Sequence, residues 1–134
     1  MQLARLAEAP GYDEAHLVAE SFLEAAHCTV RVIKLTPGQV LPPHTHGVAD
    51  LMLYVVEGAG HLDTSDGQVA FAAGSLAHLR GDEELRLTNT GSDGMTLLAF
   101  PAPLSRPAKA HDRVPVAVLS VASRRRTGRT RRSR

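Results

Sequence analysis

From His27 to Phe100 the chain is a succession of short apolar runs cut apart by turn residues. The runs read "HCTVRVIKL", "DLMLYVVE", "GHLDT", "QVAFAA", "SLAHLR", "ELRLTNT" and "MTLLAF". Between them stand turn formers such as "TPG", "EGAG", "SDG", "AAG", "RGD" and "NTGSDG". The first run alternates, with Cys28, Val30, Val32 and Lys34 on one face and Thr29, Arg31, Ile33 and Leu35 on the other. Short strands at this spacing predict an all-β sandwich or barrel.

The flanks read differently. Residues 1–15 form a loosely attached arm with a turn at "APGYD". "HLVAESFLEAA", residues 16–26, fits either a helical stripe or an irregular strand. "FPAPLSRPAKAHDRVP" holds four prolines in 16 residues and should leave the sheet. "VAVLSVA", residues 116–122, offers one more short strand or a packing segment. The division predicted is an arm at 1–15, a β-domain at 16–103, a Pro-rich extension at 104–123 and a disordered Arg-rich tail at 124–134.

A length of 134 residues suits one domain with a single core. There is no Trp, so Leu, Val, Ala and a few Phe must build that core. One cysteine, Cys28, excludes an internal disulfide and a Cys-rich zinc site, and its apolar context predicts a small buried side chain. The opening "MQLARLAEAP" lacks the apolar stretch of a signal peptide. No apolar run approaches the roughly 18 residues of a membrane span. A cytoplasmic protein without membrane association is expected. The net charge of +1 hides a division, because residues 124–134 carry seven of the 15 basic residues and no acid. The remaining 8 basic residues face 14 acidic ones, a net of −6 for residues 1–123. A nucleic-acid-binding domain carries its basic residues on the fold itself, so no specific nucleic-acid partner is expected, and no specific function is assigned to the tail.

Chemistry concentrates in "LPPHTHGVADLMLYVVEG", residues 41–58. Residues two apart on an extended chain point the same way, and the prolines before His44 favour extension. His44 and His46 would then face one point together, and Asp50 can bring a carboxylate across the bend "GVA". Neutral imidazole is the commonest protein ligand of Fe, Mn, Ni, Cu and Zn sites, and two His with one acid leave open positions on an ion. The competing reading is a pair of hydrogen-bonded histidines without a metal.

In this setting the sequence resembles the cupin family. Its first motif, G-x5-H-x-H-x3,4-E-x6-G, is matched by Gly38, His44 and His46. Asp50 falls at the Glu position by the shorter spacing, and Gly58 closes the motif by the longer one. The second motif, G-x5-P-x-G-x2-H-x3-N, aligned on Asn89, places Gly74 on its first Gly, Arg80 on the Pro, Asp82 on the second Gly and Leu85 on the His. The resemblance spans roughly residues 17–103. It implies a single small antiparallel β-barrel, jelly-roll-like, with a pocket for a small molecule, and often a homodimer. It also implies a divalent metal held by His44, His46 and Asp50, with Leu85 in place of the usual ligand from the facing strand.

His78, in "SLAHLR", is a further candidate ligand that would replace the missing His from another direction. Tyr54 shares a strand face with Asp50, and both are candidate catalytic groups if that face lines the pocket. Glu83 and Glu84 lie near the lost His position, although such a cluster is more often a solvated turn. Leu85, Met52 and Val56 are the expected apolar lining. Two functions remain open at this point. One is a metal-dependent enzyme of the oxygenase, isomerase or cyclase type. The other is a non-catalytic cupin that binds a small molecule or a partner.

Overall fold

The computed structural model of the chain describes residues 1–102. The extension predicted at 104–123 and the tail at 124–134 lie outside them. After a 3-10 turn at Leu6–Glu8 come nine strands: β1 Val18–Glu24, β2 Thr29–Leu35, β3 Val40–His44, β4 Asp50–Glu57, β5 Ala59–Thr64, β6 Gly67–Ala72, β7 Leu76–Leu79, β8 Leu85–Asn89 and β9 Met95–Ala102. The ambiguous stretch at 16–26 is thus a strand. A helix there would bury one stripe only, whereas β1 gains a hydrogen-bonded partner in β2 through Val18↔Lys34 to Glu24↔Thr29, with one bulge.

The strands form two antiparallel sheets, ordered β1-β2-β9-β4-β7 and β3-β8-β5-β6. The pairing has a simple logic. The hairpin β5–β6 is the fold's tip, closed between Thr64 and Gly67. Moving outward from it, β4 pairs with β7, β3 with β8 and β2 with β9. Residues 29–102 therefore form one long antiparallel ribbon wound so that successive pairs fall in alternate sheets. The expected all-β, jelly-roll-like arrangement is found as two antiparallel sheets, without the single barrel being established. Among the described residues no strand pairing joins the two sheets, and the architecture is two facing sheets.

Strand alternation decides which side chains enter the space between them. Leu51, Leu53 and Val55 of β4 point inward, as do Ile33 and Leu35 of β2 and Leu97 and Ala99 of β9. Leu85 and Leu87 of β8, Leu62 of β5 and Phe71 of β6 meet them from the other sheet. Cys28 departs from expectation. It is exposed, because it stands in the β1–β2 turn before the ladder begins, where its carbonyl accepts from the Ala25 N–H at 2.9 Å.

Two devices brace this body. Asn89 is 1% exposed, and its Nδ2 donates to the Leu35 carbonyl at 2.8 Å and the Asp93 carbonyl at 2.9 Å. Its Oδ1 accepts from the Gly91 N–H at 3.0 Å. The arm is also not loose. The Tyr12 hydroxyl donates to Glu57 Oε1 at 2.7 Å and lies 2.6 Å from the Thr96 hydroxyl, while Gln39 Nε2 donates to the Asp13 carbonyl at 2.7 Å. Partial burial raises the Tyr12 pKa, and the hydrogen bonds from Tyr12 and then Thr96 lower that of Glu57.

Candidate functional site

A cavity of about 240 Å³ opens between the sheets. Its walls are Ala19 of β1, Arg31 and Ile33 of β2, Leu41 and His44 of β3, Leu51 and Leu53 of β4, and Ala99 and Pro101 of β9, together with His46. Most of this lining is aliphatic, since the inward faces of the strands are the core faces. The cavity is small beside the several hundred Å³ usual for drug-sized ligands, so any occupant must be small.

His44 ends β3 and His46 lies beyond it, yet both reach the cavity, with ring centroids 4.7 Å apart and planes tilted by 60°. His44 Nδ1–H donates to the Pro42 carbonyl at 2.7 Å, so in the neutral ring Nε2 carries the free lone pair. His46 Nδ1 is buried and has no hydrogen-bond partner among the described residues. Burial lowers the His46 pKa, and the nearby His44 and Arg31 add to the effect.

The loop bearing His46 is fixed from behind. Its N–H donates to the Gly81 carbonyl at 2.8 Å, and its carbonyl accepts from the Ala49 N–H at 3.1 Å. A Cβ at Gly81 would collide with the carbonyl oxygens of Gly47 and Ala49. The "RGD" turn therefore acts as a clamp on the His46 loop, and only glycine permits so close an approach.

The other candidates lie elsewhere. Asp50, Met52 and Tyr54 do share a face of β4, but it is the outer face. The larger apolar set, Leu51, Leu53 and Val55, takes the core, and a period of two sends its neighbours out. Asp50 Oδ2 and His78 Nε2 are 3.6 Å apart, and both side chains are 45% exposed. Glu83 pairs with Arg80 at 3.2 Å, and neither Glu83 nor Glu84 lines the cavity. The expected lining is corrected as well. Leu85 is fully buried opposite His44 in the β3–β8 ladder, Met52 is 47% exposed, and neither they nor Val56 line the cavity.

Arg31 was not among the candidates, yet it lines the cavity and is its one charged residue among the described lining. One guanidinium nitrogen donates to the Ala19 carbonyl at 3.2 Å, and no carboxylate among the described residues pairs with it. The signal was present in "TVRVIKL", where the alternation already puts Arg31 on the face of Ile33 and Leu35. Arg31 is itself exposed, so its charge stands at the mouth of the cavity.

The cupin domain family matches the chain over residues 31–101, from Arg31 in β2 to Pro101 in β9. The chain belongs to the cupin family. Solved structures agree on the cupin fold. A protein from Thermus thermophilus superposes with a TM-score of 0.72 at 20% identity, over 77% of this chain and 98% of that one. An RmlC-like cupin protein from Desulfovibrio desulfuricans gives 0.68 at 24% identity, over 77% and 97%. A predicted oxalate decarboxylase from Thermotoga maritima gives 0.68 at 20% identity, over 77% and 100%. No curated protein matches the chain significantly in sequence.

Cupins often hold a divalent metal, so the donor set of this one is the next question. A catalytic zinc site uses three protein ligands, and related ions need as many. Among the described residues no group of three or more His, Cys, Asp or Glu comes together. The cavity offers two imidazoles, an apolar Leu85 across the ladder from His44, and the fixed positive charge of Arg31. The described residues alone do not bring together a donor set that fits a tightly held divalent ion.

Proposed function

We propose that this cupin is a small-molecule-binding protein whose cavity takes a small, partly apolar ligand. The observation that carries the reading is the cavity itself, an aliphatic space with His44 and His46 as polar groups on one wall. Burial of hydrocarbon against Ile33, Leu51, Leu53 and Ala99 supplies the affinity, at about 25 cal/mol per Å² of apolar surface removed from water. The imidazoles supply orientation. With its Nδ1–H committed to the Pro42 carbonyl, the neutral His44 ring offers Nε2 as an acceptor.

One feature favours a second reading, a metal-dependent oxygenase, isomerase or cyclase. The two rings lie together, as a two-His half-site would need. Asp50 or His78 would have to turn inward to complete it, with Tyr54 beside them as a further catalytic candidate. Elemental analysis of protein purified without a His-tag separates the two. The ligand-binding reading expects well under one Fe, Mn, Ni, Cu or Zn per chain. About one equivalent, lost in His44→Ala, would establish the metal site that the enzyme reading requires. Ligand-observed NMR with short-chain alcohols, amides and acids tests the cavity directly. Binding should disappear in Ala19→Phe, which fills the space from β1. Binding that survives this change would place the ligand elsewhere.

A homodimer belongs to the same proposal. Met52, Tyr54, Leu76 and Phe100 are exposed on the outer face of the five-stranded sheet. The pairs Met52↔Phe100 and Tyr54↔Leu76 stand directly across the ladder, so the four side chains share one face. A contiguous apolar patch of this kind favours association. A cytoplasmic setting is also part of the proposal. No helix among the described residues is long and apolar enough to cross a membrane.

A further inference from the structure

The charge at the mouth of the cavity narrows the ligand class. Among the described residues that line it there is one fixed cation, Arg31, and no Asp or Glu. The acid nearest in sequence to the His pair is turned away, since Asp50 lies on the outer face beside His78. Arg31 is held by strand pairing on both sides, opposite Ser21 in β1 and Ala99 in β9. Its guanidinium is oriented by the Ala19 carbonyl, which uses one nitrogen and leaves N–H donors on the others. The next inward residue on the same strand face is Ile33, and Leu51, Leu53 and Ala99 continue the apolar wall.

We infer that the ligand is a small organic carboxylate, with its head group held by Arg31 and its hydrocarbon part against Ile33, Leu51 and Leu53. The inference rests on the ligand-binding reading of the cavity and adds the charge of the ligand. A neutral molecule would gain the apolar wall and leave the guanidinium donors to water. A carboxylate gains both, because its two oxygens match the planar fork of arginine. A cation would be opposed by Arg31 at the entrance. The neutral imidazoles do not supply the charge preference. They lie along the same wall and accept or donate to whatever polar group the ligand carries beyond its head.

The test uses hexanoate and hexanamide, which have nearly the same shape and differ in charge. Titration calorimetry on the full chain at about pH 8, above the ordinary imidazole range, leaves Arg31 as the cavity's charged group. Hexanoate should bind about tenfold tighter or more than hexanamide, the size expected of a charge-assisted pair. In Arg31→Met the ratio should fall to near one. Arg31→Gln serves the same purpose if Arg31→Met does not give a wild-type circular dichroism spectrum, and Arg31→Lys should keep part of the preference. A ratio near or below one in the wild type overturns the carboxylate inference and leaves the cavity reading standing. A preference that persists in Arg31→Met and Arg31→Gln overturns the assignment to Arg31. If neither compound binds at about 10 mM, the cavity reading fails and the inference fails with it.

Discussion

Asn89→Ala should cost this protein a large part of its stability, although Asn89 touches neither the cavity nor the histidines. The side chain makes three hydrogen bonds in a buried setting, to the Leu35 carbonyl, the Asp93 carbonyl and the Gly91 N–H. Each contributes about 1 kcal/mol net, so their joint loss amounts to about 3 kcal/mol. For a domain of this size, at roughly 4 °C per kcal/mol, the midpoint should fall by about 12 °C. Thermal and urea melts followed by far-ultraviolet circular dichroism are the suitable assay, because the chain has no Trp to report by fluorescence. Asn89→Asp sharpens the test at nearly constant volume. It keeps an oxygen for Gly91 but sets a carboxylate against two carbonyl oxygens, so its pKa in the folded state must rise above the ordinary Asp value of about 4. A group with a raised folded pKa lends stability below its unfolded pKa and loses it as pH rises through the folded one. The deficit of Asn89→Asp should therefore widen from acid to neutral pH. A loss under about 1 kcal/mol in Asn89→Ala, with no pH dependence in Asn89→Asp, would refute the idea that this side chain ties the β8–β9 turn to β2.

Other consequences are as direct. Gly81→Ala should lower stability by about 2–4 kcal/mol, from overpacking against backbone plus a weakened His46–Gly81 hydrogen bond, and the His46 ring resonances in NMR should shift; unchanged resonances would show that the turn does not position the ring. Glu57 has a lowered pKa through Tyr12 and Thr96, so its contribution is present above its unfolded pKa of 4.5 and is lost as pH falls through the lower folded value. Acid denaturation of Tyr12→Phe should accordingly be less steep below pH 4.5 than in the wild type. Met52→Lys should reduce the dimer fraction seen by size exclusion with light scattering, and a wild-type monomer at all concentrations would remove the dimer from the proposal.

Much of the strand pattern was legible because each strand advertises its own edges. "DLMLYVVE" is β4 from end to end, and "EGAG" and "SDG" mark the turns that follow it. Although His46 lies beyond the end of β3 and is held by its hydrogen bond to the Gly81 carbonyl, the nearness of His44 and His46 was legible from their spacing. The face choice of β4 was not. Alternation said that Asp50 and Tyr54 go together, and burial of Leu51, Leu53 and Val55 then sent them outward. Arg31 carried a local signal, its shared strand face with Ile33 and Leu35, but a charge within a strand ordinarily reads as a solvated position. Its partner strands, β1 and β9, are what set it beside a cavity.

The sequence by itself determined the all-β class, the positions of most strands and the close spacing of His44 and His46. These depend on residues near one another in the chain, where periodicity and turn chemistry act. Only the tertiary structure decided that the ribbon folds about β5–β6 into two facing sheets, that Asp50 meets His78 outside, and that Arg31 rather than an acid shares the cavity with the histidines. The physical reason is that an alternating strand has two faces, and the burial available across the whole sandwich selects which one becomes the wall of a site.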